Sequence, residues 1–342
     1  MPDVRVGILG ATGLVGEHLL SILAERRFPV REMRLWGSER SRGRQVEFAG
    51  ERIEVRVPSD EEVSSVDLLF GAAGNAPSER FVPVAREAGA LVVDKASLFR
   101  MRPDVPLVVP EVNPQDLPRK AAGALVASPN CSTIPLVMVL KALAGLGAIE
   151  RVTVSTYQAV SGSGRDALEE LEAQEAAGDL ALAPAPVAYP TPIFRNVVAQ
   201  CDAFGADGFT REESKLVEES RKILGRPELR VSATAVRVPV RVGHSEAVGV
   251  EFDRPVEPEA ARALLGAFDG IRLYDDPPAG AVPTPLACAG RDEVLVGRVR
   301  SDGGVPDGRG LLLWLSCDNL RKGAALNAIQ IAERMLGAGS RQ

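Results

Sequence analysis

A strand, a glycine-rich turn and a helix follow one another within the first 25 residues, and this order restricts the possible folds most. Residues 4–9 are apolar and predict a short buried strand, and residues 17–23 carry Leu and Ile at helical spacing. Between them stands Gly10-Ala11-Thr12-Gly13-Leu14-Val15-Gly16. Glycine permits a sharp turn and lets backbone N–H groups approach a pyrophosphate, which the positive end of the helix also attracts. The pattern predicts a dinucleotide-binding loop; the alternative is a turn that only connects two packed elements.

Strands and helices continue to alternate up to residue 129. Residues 33–36, 66–70 and 90–93 predict strands, and residues 81–88 predict a helix. Such alternation is typical of a parallel, doubly wound sheet. We therefore predict an α/β chain that begins with a Rossmann-like domain.

A second domain, of α+β type, is predicted after Asn130. Its helices are expected at 133–146, 166–175 and 211–224, and its strands at 152–158, 231–242, 247–252 and 294–299. These strands predict a mixed or antiparallel sheet. An amphipathic helix at 319–336 is expected to pack back on the first domain.

The end of the second strand indicates which dinucleotide fits. An NAD site usually places Asp or Glu here, against the ribose 2′-hydroxyl. In Ser38-Glu39-Arg40-Ser41-Arg42, two hydroxyls and two guanidinium groups surround the single acid. That mixture favours the 2′-phosphate of NADP over NAD, with Ser38, Arg40 and Ser41 as contacts. The alternative is a solvated charged turn.

Charge and cysteine content exclude several classes of protein. The net charge of −6 argues against nucleic acid or an anionic membrane as the main partner. The N-terminus has no apolar run of signal-peptide type, and no apolar stretch is long enough to span a bilayer. The four cysteines form no C-x-x-C pair, so neither a zinc site nor a disulfide framework is expected. The cytoplasm is the predicted location.

Cys131 is the predicted nucleophile. It lies in Ser128-Pro129-Asn130-Cys131-Ser132-Thr133, where a polar turn precedes an apolar helix. A helix N-terminus stabilises a thiolate through its dipole and its free N–H groups, and so lowers the thiol pKa. Cys201, Cys288 and Cys317 are expected to be inert and buried.

The chain contains two histidines. His18 lies on the first helix and is assigned no role. His244 stands in Val242-Gly243-His244-Ser245, at a glycine break between two strands, where a side chain is exposed at the end of a sheet. A pKa near neutrality suits His244 to accept and return a proton. The alternative is a structural histidine.

Four motifs, in this order and at this spacing, resemble aspartate-semialdehyde dehydrogenases. They are Gly10–Gly16, Pro129–Thr133, Gln158-Ala159-Val160-Ser161-Gly162 and Gly243-His244-Ser245. The similarity covers nearly the whole chain. It implies NADPH-dependent conversion of L-aspartyl 4-phosphate to L-aspartate 4-semialdehyde and phosphate, in the biosynthesis of lysine, threonine, methionine and diaminopimelate. Both directions would pass through a thioester on Cys131.

The resemblance also implies a role for each site residue. Cys131 would be the nucleophile, His244 the acid/base, and Gln158 would orient the thiohemiacetal. Arg237 would clamp the substrate carboxylate, because a planar fork binds it bidentately. Further substrate contacts are expected from Arg100, Asn130, Glu212 and Lys215. Cofactor contacts are expected from Gly10, Thr12, Gly13, Leu14, Val15, Ser38, Arg40, Ser41, Ser161, Gly162 and Asn319.

The implied organisation is a homodimer of two-domain chains. Residues 1–129, completed by a C-terminal helix at 318–342, would bind NADP, and residues 130–317 would form the catalytic and dimerisation domain. The sequence departs from the family at Ser128, where Asn is common, and at Lys95-Ala96, where Asn-Ser is frequent. These changes put fine contacts in doubt, but not the chemistry.

Two alternatives stay open at this point. One is N-acetyl-glutamyl-phosphate reductase, which shares the thioester chemistry, but its cysteine motif is typically Gly-Cys-Tyr-Pro. The other is a non-catalytic relative, which would be recognised by the loss of the cysteine or the histidine.

Overall fold

The computed structural model describes residues 3–338, and these divide into two compact units. The first unit ends at Asn130 and resumes at Ala324, and the second runs from Cys131 to Gly323. The predicted domains included residues 1, 2 and 339–342, which lie outside the described residues. None of the described helices has the length and apolar character needed to cross a membrane.

The first unit is built on a seven-stranded sheet in the order β3-β4-β2-β1-β5-β6-β7. All neighbouring strands are parallel except β3 and β4. The predicted Rossmann-like sheet is therefore confirmed. Its strands are β1 (Val4–Leu9), β2 (Val30–Trp36), β3 (Gln45–Phe48), β4 (Glu51–Arg56), β5 (Leu68–Gly71), β6 (Leu91–Asp94) and β7 (Leu125–Ala127), and its helices are α1 (Leu14–Glu25), α2 (Asp60–Val63), α3 (Asn75–Glu87) and α9 (Leu326–Ala338).

The glycine turn brings α1 close to the carboxyl end of β1. Gly10 has φ +91°, and a Cβ there would lie 2.8 Å from the backbone carbonyl of Ala72, just after β5. A Cβ on Gly16 would lie 2.3 Å from the Gly10 carbonyl oxygen. Both positions therefore require glycine. The turn stands between β1 and β5, where the strand order reverses and open α/β sheets bind ligands.

Helix α9 closes the core of the first unit. Leu326, Ile329 and Ala332 join the buried cluster that contains β1 and α1 residues such as Ile8 and Leu23. The predicted start of this helix at 319 is wrong, because Arg321–Ala325 form a π-helical turn instead. Such turns are rare and are often found at functional sites.

The second unit contains a six-stranded mixed sheet in the order β11-β12-β13-β10-β8-β9. Strands β8–β9 and β11–β12 are parallel, and the other pairs are antiparallel. Its strands are β8 (Ile149–Gln158), β9 (Arg230–Arg237), β10 (His244–Phe252), β11 (Ile271–Leu273), β12 (Val294–Ser301) and β13 (Gly310–Cys317), and its helices are α4 (Thr133–Leu143), α5 (Arg165–Ala177), α6 (Arg211–Leu224), α7 (Pro258–Ala267) and α8 (Pro285–Cys288).

Two boundaries differ from the prediction in ways that shape the site. The strand expected to run to Val242 ends at Arg237, because Pro239 has no N–H to continue the ladder. The chain then returns as β10, which begins at His244 itself. The sequence analysis did not assign β13, the neighbour of β10, because its apolar run shows no alternation.

Asp94 is a buried carboxyl at the end of β6. Its Oδ1 accepts a hydrogen bond from Ser78 (2.8 Å), and its Oδ2 accepts one from the Ala96 N–H (3.1 Å). A Cβ at Gly71 on β5 would lie 2.0 Å from Oδ1, so the carboxyl occupies the space that a side chain there would need. Burial raises the pKa of Asp94 to about 6, although both hydrogen bonds oppose the shift.

This raised pKa predicts how stability changes with pH. The folded protein holds the Asp94 proton more tightly than the unfolded chain does, so stability from this group falls as pH rises from about 4 to 6. The loss amounts to about 3 kcal/mol. Asp94→Asn cannot ionise at this position. We expect its free energy of unfolding, measured in urea, to rise relative to that of the wild type by this amount between pH 4 and 7. The control Leu182→Ala, at an exposed side chain that does not titrate, should show no such trend. A constant difference for Asp94→Asn would contradict the prediction.

Candidate active site

The predicted site residues fall into two sets, one in each unit. The second unit brings nine of them into a connected group, and the first unit holds the remainder. The second unit contains Cys131, Gln158, Ser161, Gly162, Glu212, Lys215, Arg237, His244 and Asn319; the first contains Gly10, Thr12, Gly13, Leu14, Val15, Ser38, Arg40, Ser41, Arg100 and Asn130.

Cys131 is the one partly exposed thiol of the four cysteines, all of which lie in the described part of the chain and form no disulfide. Helix α4 begins at Thr133 with Ser132 as its N-cap, so Cys131 stands one residue before the cap. Gly323, in the π-helical turn, packs on it: a Cβ there would lie 3.2 Å from the Cys131 Cβ and carbonyl oxygen. The thiol is thus held between a helix start and a glycine.

Gln158 links the thiol's neighbour to an acidic residue. It is buried at the end of β8, and its Nε2 donates to Ser132 Oγ at 3.0 Å and to Glu212 Oε1 at 3.2 Å. A third contact joins it to Thr156 Oγ1 at 3.3 Å. These bonds fix the amide between α4 and α6.

The peptide groups of Ala159 hold two further side chains. Its N–H donates to His244 Nδ1 at 3.0 Å, and its carbonyl accepts from Arg237 Nη1 at 2.7 Å. Register places Arg237 beside Gln158, because β8 and β9 are parallel and pair at these residues. One residue therefore joins the imidazole to the guanidinium.

His244 is fully buried, and burial lowers its pKa well below the usual value, with the positive charge of Arg237 adding to the effect. Its Nε2 has no hydrogen-bond partner within the described part of the chain. The same holds for Arg237 Nε, which is also buried. Both nitrogens are therefore available to a bound molecule.

Gly162 lies directly against these two side chains. A Cβ at this position would be 2.9 Å from Arg237 Nη1 and 3.0 Å from His244 Nε2. Its neighbour Ser161 accepts a hydrogen bond from Asn319 Nδ2 at 3.0 Å, and Asn319 Oδ1 accepts the Gly243 N–H at 2.9 Å. Asn319 thus ties the turn that carries Gly162 to the turn that precedes His244.

Glu212 and Lys215 form a partly buried cluster with Asp202, in which Glu212 is buried and Asp202 is exposed. Lys215 Nζ lies 3.2 Å from Glu212 Oε2 and 2.8 Å from Asp202 Oδ2. Burial lowers the pKa of Lys215, but the two carboxylates outweigh it and raise that pKa above its usual value. Lys215 stays charged, and the cluster carries one net negative charge beside Gln158. Sequence reasoning missed Asp202, because its loop shows no periodic pattern.

Glu246 is a second residue that the sequence did not single out. It is fully buried two positions after His244 on β10, and neither carboxyl oxygen has a hydrogen-bond partner among the residues described. Burial, and secondarily the charge of Glu212, raises its pKa well above the usual value. It is therefore held as a neutral acid.

The first unit places the predicted nucleotide contacts around the glycine turn. Thr12 Oγ1 and Ser41 Oγ are 3.0 Å apart, so the turn is joined to the end of β2. Helix α1 begins at Leu14, followed by Val15. Its N-cap is Gly13, and no side chain caps it. Its first N–H groups are suited to a pyrophosphate.

The end of β2 fits a 2′-phosphate. Ser38 and Arg40 are exposed, whereas Glu39 is paired with Arg42 at 3.3 Å. The one acid of the segment is thus neutralised by its neighbour, and the guanidinium of Arg40 is directed to solvent. This arrangement favours an anion over a ribose hydroxyl.

Arg100 and Asn130 are both buried in the first unit. Arg100 Nη2 donates to the Lys95 carbonyl at 2.6 Å. The segment that carries it is held by Asn75 Oδ1, which accepts from Ser97 Oγ and the Leu98 N–H, each at 3.2 Å. Asn130 directly precedes the thiol in the chain.

Comparison with known families gives two matches. The model described as semialdehyde dehydrogenase, NAD binding domain, matches residues 5–119. The model described as semialdehyde dehydrogenase, dimerisation domain, matches residues 140–322. Together they account for most of the chain.

Similar proteins and structures agree with these models. The chain is 43% identical to aspartate-semialdehyde dehydrogenase of Aquifex aeolicus, over 98% of each chain, and 46% identical to that of Mycolicibacterium smegmatis, over 96% of this chain and 98% of the relative. The aspartate semialdehyde dehydrogenase II of Vibrio cholerae, solved with ASA, superposes with a TM-score of 0.92 at 41% identity, over 98% of each chain. The Candida albicans enzyme, solved with NADP, gives 0.75 at 26% identity, over 98% of this chain and 99% of the other.

The exposure of the thiols predicts selective alkylation. Burial raises the pKa of Cys201 and of Cys288 to about 12 and raises the pKa of Cys317 well above its usual value, so these thiols hold little reactive thiolate. We expect iodoacetamide to add one group rapidly to the native protein, as measured by intact mass. Cys131→Ala should abolish this fast addition and Cys201→Ala should retain it. Fast addition that survives in Cys131→Ala would contradict the assignment.

Proposed function

The chain belongs to the aspartate-semialdehyde dehydrogenase family, and from this premise we propose that it reduces L-aspartyl 4-phosphate with NADPH through a thioester on Cys131. One observation carries the proposal: the only partly exposed thiol adjoins a hydrogen-bonded set that contains Gln158, Ala159, Arg237 and His244. The products are L-aspartate 4-semialdehyde, NADP and phosphate, and the reaction serves amino-acid biosynthesis. Identities of 43–46% to relatives of this one name favour it over acetylglutamyl phosphate reduction.

Cys131 supplies the attacking sulfur. It lies one residue before the N-cap of α4, and a helix start stabilises a nearby thiolate through its dipole and its free N–H groups. Gly323, which lies against Cys131, has no side chain that would displace the thiol. The amide of Gln158, fixed through Ser132 beside the thiol, is placed to orient the adduct.

The charged groups of the substrate are assigned to protein groups of the opposite charge. The buried fork of Arg237, with its unpaired Nε, suits the α-carboxylate. Glu212 suits the ammonium group, because the Asp202–Glu212–Lys215 cluster is negative overall. Phosphate recognition is proposed for Lys215 in the second unit and for Arg100 in the first. Asn130 is proposed as a further substrate contact.

Cofactor contacts are assigned mainly to residues around the glycine turn of the first unit, and three further contacts are assigned to the second unit. NADP supplies the hydride acceptor or, when reduced, the hydride. Gly10, Thr12, Gly13, Leu14 and Val15 are proposed to hold its pyrophosphate; Ser38, Arg40 and Ser41 its 2′-phosphate; and Ser161, Gly162 and Asn319 its nicotinamide end. The exposed Arg40 and the uncapped start of α1 support this fit.

The working form is proposed to be a homodimer in the cytoplasm. Residues 140–322 match a dimerisation domain. One sheet face of this unit carries Tyr157 and Trp314 as a ring pair with centroids 5.1 Å apart, and Tyr157 is 36% exposed. An exposed aromatic pair on a sheet suits a subunit interface. A reducing compartment keeps a nucleophilic thiol usable.

Turnover of aspartate semialdehyde tests the proposal directly. We expect NADP to be reduced only when phosphate or arsenate is present, and the absorbance of NADPH measures the rate. Cys131→Ala should lower turnover by at least about 10³-fold and leave NADPH binding nearly intact, because only the nucleophile is lost. Cys201→Ala serves as the control. Turnover by Cys131→Ala at the wild-type rate would refute the nucleophile assignment.

Arg237→Lys tests carboxylate recognition. A point charge replaces a planar fork, so bidentate binding is lost while the charge is kept. We expect KM for aspartate semialdehyde to rise about 10- to 100-fold, as for a lost charged hydrogen bond, with a smaller change in kcat. Arg241→Lys, four residues on at an exposed ion pair with Glu175, should change neither value. An unchanged KM in Arg237→Lys would remove Arg237 from the substrate site.

A further inference from the structure

We propose that Tyr189 is a positioning residue for substrate recognition: its ring restricts the tilt of the Arg237 guanidinium and so keeps the free edge of that group directed to the substrate α-carboxylate. The proposal rests on the function proposed above and adds to it a residue that acts through Arg237. The sequence analysis did not single out Tyr189, because it lies between α5 and α6 in a stretch without regular secondary structure.

Two side chains of α5 fix the backbone around Tyr189. Glu170 and Gln174 are four residues apart and therefore lie on the same face of the helix, where Gln174 Nε2 donates to Glu170 Oε1 at 3.2 Å. Four backbone N–H groups donate to this pair, two to Glu170 Oε2 at 2.7 Å and two to Gln174 Oε1 at 3.0 Å. These groups belong to Val187, Ala188, Ile193 and Phe194. The chain is thus held immediately before Tyr189 and shortly after it.

The same stretch of chain, residues 187–198, ends against the backbone of Arg237. The Val198 N–H donates to the Arg237 carbonyl at 3.0 Å, and the Arg237 N–H donates to the Val198 carbonyl at 2.8 Å. Tyr189 and Arg237 therefore belong to one hydrogen-bonded framework. Because of this framework, the position of the ring does not depend on its contact with the guanidinium alone.

The Arg237 guanidinium lies over the ring of Tyr189, with Cζ 6.0 Å from the ring centroid. The attraction between a cation and an aromatic face is strongest where water is excluded, and Arg237 is buried. The ring is itself held in place, because its hydroxyl donates to Ser163 Oγ at 3.1 Å and its apolar surface packs on a buried cluster. The cluster consists of Val160, Leu171, Ile193 and Val198. A fixed ring therefore restricts how the guanidinium can tilt.

A ring contact positions the guanidinium without using its hydrogen bonds. The N–H groups of a guanidinium lie in its plane, whereas the ring acts by electrostatic attraction to the positive charge. Arg237 Nη1 already donates to the Ala159 carbonyl at 2.7 Å, and the buried Nε has no partner among residues 3–338. Buried polar atoms are rarely left unbonded, so this Nε indicates a ligand acceptor. A carboxylate in place of the ring would compete for Nε, but Tyr189 leaves it to the substrate.

Substitution of Tyr189 tests this positioning role. Tyr189→Leu removes the ring but keeps an apolar side chain, and Tyr189→Phe removes only the hydroxyl. We expect KM for aspartate semialdehyde to rise about 5- to 30-fold in Tyr189→Leu, with little change in kcat, because the attraction between cation and ring is lost. Tyr189→Phe, which keeps the ring, should recover most of this loss. An unchanged KM in Tyr189→Leu would overturn the proposal.

Phe194→Leu is the matched control, because it removes a ring that packs on the same buried cluster. The Phe194 ring lies against Arg195, whose Cζ is 4.8 Å from the ring centroid. We expect KM in Phe194→Leu to stay at the wild-type value, whatever the change in its Tm. If KM rose equally in Phe194→Leu and Tyr189→Leu, the ring of Tyr189 would serve packing only, and the proposal would be wrong.

Combination with Arg237→Lys tests whether Tyr189 acts through Arg237. Substitutions at independent sites have multiplicative effects on KM, whereas those at coupled sites do not. In the Arg237→Lys background we expect Tyr189→Leu to raise KM by less than about twofold, because no planar fork remains to be aligned. The same rise in both backgrounds would contradict the proposal. Absence of turnover in the wild type would refute the proposed function and this inference with it, whereas turnover with an unchanged KM in Tyr189→Leu would refute this inference alone.

Discussion

The site depends on the two peptide groups that flank Ala159. Its N–H fixes the face of the imidazole, and its carbonyl fixes the guanidinium of Arg237. Because β8 ends at Gln158, the same turn also positions the amide that reaches Ser132 next to the thiol. Side chains from three strands and a helix start are thus set by one short stretch of backbone, which no substitution of the Ala159 side chain would directly remove.

The ionisable groups around this turn are of two kinds, those that pair with an opposite charge and, among the residues described, those that are buried without one. Asp202, Glu212 and Lys215 form a cluster of opposite charges, and the two carboxyl groups raise the pKa of Lys215. Glu246 and His244 lie deeper, and burial shifts the pKa of each toward its neutral form. In the proposed function, the first kind serves recognition of the amino-acid substrate.

The sequence predicted most of the architecture, and it singled out residues that the structure brings together in the second unit. The catalytic roles of these residues stay predictions. The glycine turn, the parallel sheet and helix α6 follow from spacing and periodicity, which depend on nearby residues. β13 and Asp202 were missed, because a continuous apolar run and an irregular loop carry no period. The hydrogen bond from the Ala159 N–H to His244 Nδ1 could not be predicted, because the two residues are 85 positions apart in the chain.

The contact between Gly71 and Asp94 couples two neighbouring strands through one carboxyl group. The carboxyl of Asp94 occupies the volume above Gly71, so a side chain at position 71 would have to displace it. Displacement would disturb the bonds that the carboxyl accepts from the Ser78 hydroxyl and the Ala96 N–H. Substitutions at positions 71 and 94 are therefore coupled, and their effects on stability are not additive.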